Sequence, residues 1–587
     1  MKAKIICLLL VMMLAFTCLA SCFGGGSGDN GGNGGDTGTN QGGTGNNNTG
    51  NNQSGGNRPG GIGGGTVDES EWWNDITYNK TQLIFQMTDC SNNQELESGC
   101  RRYLSGEKPG DQDVDRYVAE RNSAALENTK VTVKYNYYPE DEANTHGFAK
   151  NITLITEECM NRTDASADMY CNFMTDLLVC SLKGSFANLY SKLHGEGDYA
   201  GKNYMNLSNP GYMGELMGSL SLSTNKVYVM ASDYFLDLIR AFFVVPVSVN
   251  LYNSIAPDMI NDLSGDGVKD INDFFYEVKN GDWTYDRLLQ YAAKIHKGTG
   301  GAGAGETILD EQLGFALGDN GLPAAGLIYT SKAVIINKVW DDNMGIYHYS
   351  YPDENQVLFD VVDKIGQLVQ GTGVMYVRGT DAAKVNEATP LLGIRNRFTG
   401  NHLLFGGIIL VGSLEYSVYQ DMKEGDNGGF GVVPVPVYQK EQGDAIATQY
   451  KTQIHVVGRA GAIAKKTTKF VQCSAFLQYQ SSNSTHILNE YYDFNLTYDI
   501  ADGLDGNVDM LKYIRSNVRT SFDKLFEDAI GFMGQEQDPE SDKDRFHARL
   551  VGANAYVIDI RKVYEEVLPV KKTALAKLVV EYDELPD

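Results

Sequence analysis

TQLIFQMT, residues 81–88, is an apolar run of strand length that stops at Asp89, and together with the two segments after it this run decides the architecture. Val114 to Asn128 places Val114, Tyr117, Val118 and Ala125 on one helical stripe, and KVTVKYN, residues 130–136, alternates with the two-residue period of a strand. Strand, helix and strand in that order predict a parallel α/β unit, because parallel strands need a long crossover and a helix supplies it. Asp168 to Phe173 predicts a further strand and Leu177 to Tyr190 a helix after it. The first lobe therefore reads as α/β.

Ala241 to Tyr252 (AFFVVPVSVNLY) is rich in β-branched and aromatic residues and predicts a buried strand leading into a second unit. Pro246 cannot donate to a ladder, which places this strand at an edge or at a crossing between lobes. Within NGDWTYDRLLQYAAKI, residues 280–295, Thr284 suits a helix N-cap, Asp286 the positive end of the helix, and Leu288, Ala292 and Ile295 one face. Trp283 before the cap and Leu288 at the fourth helical position have the spacing of a hydrophobic staple, which accounts for the tryptophan without a ligand.

Working outward to the amino terminus, Lys2 and Lys4 precede a dozen mostly apolar residues, Ile5 to Phe16, and then Leu19-Ala-Ser-Cys22. This is the layout of a secretory signal, too short to span a bilayer. Leu19 to Cys22 resembles the lipobox of bacterial lipoproteins, which implies cleavage after residue 21 and acylation of Cys22. Two or more acyl chains anchor stably where one would be marginal. Residues 22–65 are almost wholly Gly, Asn, Thr, Ser and Gln after the cysteine, and cannot bury enough apolar surface to order themselves. They read as a tether with a typical reach of about 35 Å.

The remaining chain, 66–587, is too long for one ordinary core, so two or three lobes are expected. Acidic residues outnumber basic ones 75 to 49, a formal charge of −26, which argues against nucleic-acid binding. Beyond the signal region stand Cys90, Cys100, Cys159, Cys171, Cys180 and Cys473, with no CxxC pair; disulfides and buried free thiols both remain open. The eight histidines form no zinc motif. Gly298-Thr-Gly300-Gly-Ala-Gly303 fits GxGxxG, yet it follows a predicted helix where a dinucleotide fingerprint requires a strand, so it reads as a loop.

DVDRYVAERN (113–122), GDWTYD (281–286), GGFGVVPVP (428–436), NEYYD (489–493) and DMLKYIR (509–515) occur in an order similar to that in the family-1, carbohydrate-type extracellular solute-binding proteins of bacterial ABC transporters. The resemblance implies an α/β, two-lobed periplasmic-binding-protein-like (type II) fold with hinge-crossing segments. Lobe 1 would comprise about 66–240 plus a later return segment, and lobe 2 about 241–390 plus C-terminal helices. It also implies capture of a small solute, a sugar or oligosaccharide, in the interlobe cleft and delivery to ABC permease subunits. The protein would act as a monomer on the extracytoplasmic face of the cell membrane, without catalysis or a required cofactor. Ligands of α/β lobes sit past the carboxyl ends of strands, which nominates Asp89, Asn172, Phe173 and, after a strand at Lys226 to Met230, Asp233 and Tyr234.

DLSGDGVKDIND, residues 262–273, resembles an EF-hand or dockerin calcium loop, with Asp262, Ser264, Asp266, Asp270 and Asp273 at the oxygen-ligand positions and Gly267 at the sharp turn. Position 12 is Asp where such loops have a bidentate Glu, and an acidic turn without metal is the competing reading. Against the receptor stand a surface-anchored glycan hydrolase, which needs two carboxylates facing each other across a cleft, and a glycan-binding surface lipoprotein without a closing cleft.

Overall fold

The computed structural model describes residues 81–586 apart from 89–98, 108, 111–112, 139–150, 162–165, 191–204, 208, 210, 298–311, 319–321, 332, 334, 378–389, 416–418, 420–421, 423–427, 442–449, 452–457, 497–503 and 531–559. The signal, Cys22, the tether, Asp89, Cys90 and the 298–303 glycines lie outside the described residues.

The first sheet is built around β1 (Gln82–Thr88), whose Leu83, Phe85 and Met87 are completely buried. It pairs in parallel with β2 (Thr132–Tyr138) on one side and β3 (Met169–Phe173) on the other. Helix α1 (Asp113–Thr129) is the crossover and buries Val114, Val118 and Ala125, a stripe at helical spacing. Lys130, at φ 54°, ends it, so β2 begins two residues later than the sequence suggests. Helix α2 (Ile152–Asn161) leads on to β3, and α3 (Met174–Leu182) follows it. The predicted helix 177–190 thus starts earlier and stops at residue 182, because Gly184 turns the chain at φ 74° and Phe186 bridges to Ala464. The predicted strand at 226–230 is reduced to one bridge, Met230 to Gly461.

The second sheet repeats the plan. Its central strand β5 (Leu313–Gly318) pairs in parallel with β8 (Val374–Val377) and β9 (Leu403–Phe405). Each sheet then receives one antiparallel strand from elsewhere in the chain. Sheet 1 takes β12 (Arg459–Ile463) beside β3, after the chain has traversed lobe 2. Sheet 2 takes β4 (Phe243–Ser248) beside β9, straight from lobe 1. Short β10 (Ile409–Leu410) and β11 (Phe430–Val433) pair with β4, and β6 (Asn337–Asp341) with β7 (Ile346–Ser350) forms a separate hairpin. This reciprocal exchange makes the architecture a two-lobed α/β fold of the type II binding-protein kind.

The predicted strand 241–252 is only half a strand, since Ser248 accepts the Leu251 amide and caps helix α5 (Val249–Met259). Pro246 is interior, with β9 on one flank and β11 on the other. Its carbonyl accepts the Gly406 N–H at 2.8 Å, while the N–H of the opposite residue, Val432, turns away to Asn507 Oδ1. Any side chain at Gly406 would meet the proline ring.

Helix α6 (Ile271–Lys279) precedes α7 (Tyr285–Ile295), capped by Thr284 as predicted. Trp283 is fully buried between Phe274 and Phe405, each ring 5.0 Å away, and its Nε1 donates to the Pro434 carbonyl. Around β5 stand α8 (Leu322–Thr330), α9 (Gln356–Val369) and α10 (Pro390–Thr399). After β12 come α11 (Phe470–Ser482), α12 (Thr485–Glu490) and α13 (Asp505–Ser516), and the chain closes on α14 (Ile560–Asp583). Among the described residues no helix is long and apolar enough to cross a membrane.

Candidate functional site

The strand registers locate the lobe junction. Met230 pairs antiparallel with Gly461, so the chain from 230 to 235 runs toward Arg459, which lies beside Phe173 at the carboxyl end of β3. After α4 (Leu236–Arg240) it enters sheet 2 at Phe243, beyond the carboxyl end of β9. The return strand β12 enters sheet 1 at that same edge of β3. The carboxyl edges of both parallel sheets therefore border the crossing segments, the place where α/β folds hold ligands.

A buried polar network occupies this junction. Arg240, on α4, donates Nε to Glu415 Oε1 at 2.8 Å and Nη2 to Oε2 at 2.9 Å, a bidentate pair that ties the connector to the 3-10 turn Val411–Glu415 of lobe 2. Tyr491, from the turn after α12, also donates its hydroxyl to Glu415. Arg102 and Arg240 lie 5.0 and 5.1 Å from the Tyr103 ring, and Arg102 clamps Asp115 of α1 through two 2.7 Å bonds. Buried Arg121 is satisfied by neutral groups, donating to Ser484 Oγ and to the Tyr103 and Leu104 carbonyls, which fixes the 99–104 turn against α12.

Of the nominated residues, Asp233 belongs to this network. Its Oδ2 accepts the Thr485 hydroxyl at 2.9 Å and stands 3.9 Å from Arg515 of α13. Burial pushes its carboxyl up to about 6, with Arg515 and Thr485 opposing the rise. Tyr234 lies in the core of lobe 1. No part of it is exposed, and its ring packs on Phe85, Phe235 and Phe476 with the Arg121 guanidinium 4.8 Å away. Asn172 is likewise fully buried in β3, its Oδ1 accepting the Phe173 N–H. Phe173 is the N-cap residue of α3, and its ring faces the buried Arg459 guanidinium at 5.3 Å. The structure thus gathers Asn172 and Phe173 with Arg459, and Asp233 with Thr485 and Arg515.

Arg459, Arg240 and Glu415 escape a reading of the sequence, since nothing local marks them. Tyr491 and Arg515 do carry a signal, lying inside the stretches 489–493 and 509–515 that support the resemblance. The segments leaving β1, β2, β5 and β8 at the junction edge (89–98, 139–150, 319–321 and 378–389) lie outside the described residues.

The 262–273 loop is a self-sufficient turn. Asp262 accepts the Ser264 hydroxyl and the Gly265 and Gly267 amides, and Asp266 accepts the Val268 amide. Asp270 and Asp273 form a capping box at the start of α6, and Asp273 also takes the Leu263 and Ser264 amides. Among the described residues no group of three or more His, Cys, Asp or Glu side chains is disposed to hold a metal ion. Cys159, Cys171, Cys180 and Cys473 are buried free thiols, and burial pushes Cys159 and Cys180 up to about 12.

No protein-family profile matches the sequence, and no curated protein matches it. Among solved structures the chain is similar to the GacH receptor of Streptomyces glaucescens, determined unliganded and with acarbose, at 12% identity and a TM-score of 0.43, over 86% of this chain and 99% of that one. It is similar to the maltose-binding protein MalE of Listeria monocytogenes, in complex with maltose, at 12% identity and a TM-score of 0.45, over 85% and 99%. It is also similar to the galacto-N-biose/lacto-N-biose I-binding protein of a Bifidobacterium longum ABC transporter, at 12% identity and a TM-score of 0.43, over 86% and 99%.

Proposed function

We propose that this chain is a lipid-anchored extracytoplasmic receptor that captures a carbohydrate-like solute between its lobes by hinge closure and hands it, unaltered, to the permease of an ABC importer. The observation that carries the reading is the reciprocal exchange of β4 and β12. Two sheets that each complete the other's edge form two bodies whose connections pass at their carboxyl edges, so a solute bound there touches both. Such a ligand favours the closed arrangement by its differential affinity for it. A sugar needs partners for its hydroxyls, since buried hydroxyls without them are costly, and charged and phenolic groups from both lobes stand at this junction. Acylation at Cys22 and a tether of about 35 Å reach would hold the receptor at high effective concentration near its transporter.

The test is titration calorimetry of the soluble protein (residues 66–587) against a panel of oligosaccharides, with the sugar analysed afterwards by mass spectrometry and the protein by small-angle scattering. One-to-one binding, intact sugar and a smaller radius of gyration are expected. Cleaved sugar would overturn the reading in favour of a hydrolase, and binding without compaction would remove the hinge. Exchanging Cys22 for serine is expected to release the full-length protein from membranes; retention would remove the anchor.

A further inference from the structure

Apart from the connecting segments, the lobes are tied together at a second place. Residues 218–228 of lobe 1 lie between the β6–β7 hairpin, which is inserted between α8 and α9 of lobe 2, and the end of α14. From the hairpin, Lys338 donates Nζ to the Gly218 and Ser221 carbonyls at 2.5 and 2.9 Å. From α14, Tyr582 donates its hydroxyl to the Lys226 carbonyl at 2.9 Å, and Lys226 Nζ donates in return to the Asp583 and Leu585 carbonyls, both at 2.6 Å. Tyr228 donates to the Pro586 carbonyl at 2.7 Å, and its ring meets the fully buried Tyr582 ring edge-on at 5.7 Å. A cation suits the last carbonyls of a helix, which lack partners within it and carry the negative end of its dipole.

The other end of α14 is seated on lobe 2. Tyr564 is buried, donates to the Pro352 carbonyl at 2.6 Å and packs edge-on against Phe359 of α9 at 5.5 Å. Arg561 faces Asp363 at 3.6 Å and Lys572 faces Asp353 at 2.6 Å, but these pairs are exposed and contribute little, so the aromatic contact fixes this end. From Tyr564 to Tyr582 the helix rises about 27 Å, and it reaches from one lobe to the other. The tie also has leverage over the junction. Residues 226–232 pass from it to the connector through the bridges at Met230 and Ser232, and six residues of strand rise about 20 Å. A turn of about 15° between the lobes at the connector would carry the gripped segment about 5 Å, farther than a hydrogen bond can follow.

We infer that α14 and the hairpin form a brace that holds the angle between the lobes, with Lys226 and Lys338 as its fastenings, and that the lobes turn about the connector only when these bonds release. The brace follows from the two-lobed fold and from the bonds themselves, whatever the solute is. One consequence does rest on the receptor reading. A solute that moves the lobes binds with its free energy reduced by that of the brace, so loosening the brace changes solute affinity without touching the junction.

The experiment measures the distance between the lobes in the full chain without solute, by double electron–electron resonance. Spin labels are carried on p-acetylphenylalanine at Leu126 of α1 and Val357 of α9, exposed residues of the two lobes, so that no cysteine is introduced. The parent protein is expected to give one narrow distance. Lys226→Met combined with Lys338→Met keeps the apolar stems and removes the four bonds that the two amines donate to main-chain carbonyls. It should raise the fraction of molecules at other distances at least tenfold. Deletion of residues 582–587, which frees the α14 end alone, should broaden the distance independently, and it decides the matter if the double variant does not fold. Lys294→Met breaks the exposed pair with Asp258 inside lobe 2 and should change nothing. A distance as narrow in the folded brace variants as in the parent, a parent distribution already broad, or equal broadening by Lys294→Met would each overturn the inference. If the brace variants broaden and no oligosaccharide binds the parent, the brace stands and only the receptor reading falls.

Discussion

Asp233 offers the sharpest test of the junction. In the unfolded chain its carboxyl titrates near its ordinary value of 3.8, and in the folded protein burial raises it to about 6. A carboxyl whose folded value is raised binds its proton more tightly when folded, so its contribution is fully present below the unfolded value and is lost as pH climbs through the folded one. Between pH 4 and pH 7 the wild type should therefore lose about 2 kcal/mol relative to Asp233→Asn, which keeps the shape and the Thr485 contact but cannot ionise. That figure already contains the opposing pull of Arg515 at 3.9 Å. Urea unfolding of both proteins at pH 4, 5, 6, 7 and 8, with slopes compared, measures the difference directly. The gap between the two midpoints should widen toward neutral pH and flatten above it. A gap constant across the series, or one that widens toward acid, would refute the claim that desolvation outweighs the Arg515 charge.

Three further outcomes rest on the packing. Glu415→Ala leaves the buried Arg240 guanidinium without its bidentate partner and should cost about 3–5 kcal/mol in urea unfolding, most of it recovered when Arg240 is also changed to Met. Gly314 is backed so closely by α7 that an added Cβ would meet the Ala292 Cα at 2.1 Å; Gly314→Ala should force α7 off β5 and lower stability by about 1–3 kcal/mol or more, read as a fall in melting temperature. Calcium held by the 262–273 loop should raise the melting temperature at millimolar concentration, whereas no shift relative to a chelator would leave the loop as the acidic turn held by its Asp262 and Asp273 amide bonds.

Local chemistry is readable along the chain wherever a short-range rule acts alone. The stripe Val114, Val118, Ala125 and the Thr284 cap need only neighbours a few residues away, and both stand in the structure, whereas Trp283 is buried by Phe405 and Pro434 from far along the chain. Helix 177–190 and strand 241–252 end elsewhere than their composition suggests, because apolar content does not fix a period. A glycine at positive φ stops the first, and a serine cap turns the second into a helix.

The sequence by itself determined the alternation of strand and helix, hence a parallel α/β body, because hydrophobic period and crossover length are local properties of the chain. Only the tertiary structure decided which strand completes which sheet, and therefore that Arg240 meets Glu415 across 175 positions and Asp233 meets Thr485 across 252. Those partners are set by reciprocal exchange between lobes. Pairing across such distances depends on complementary burial and charge in three dimensions, for which no residue spacing along the chain is a substitute.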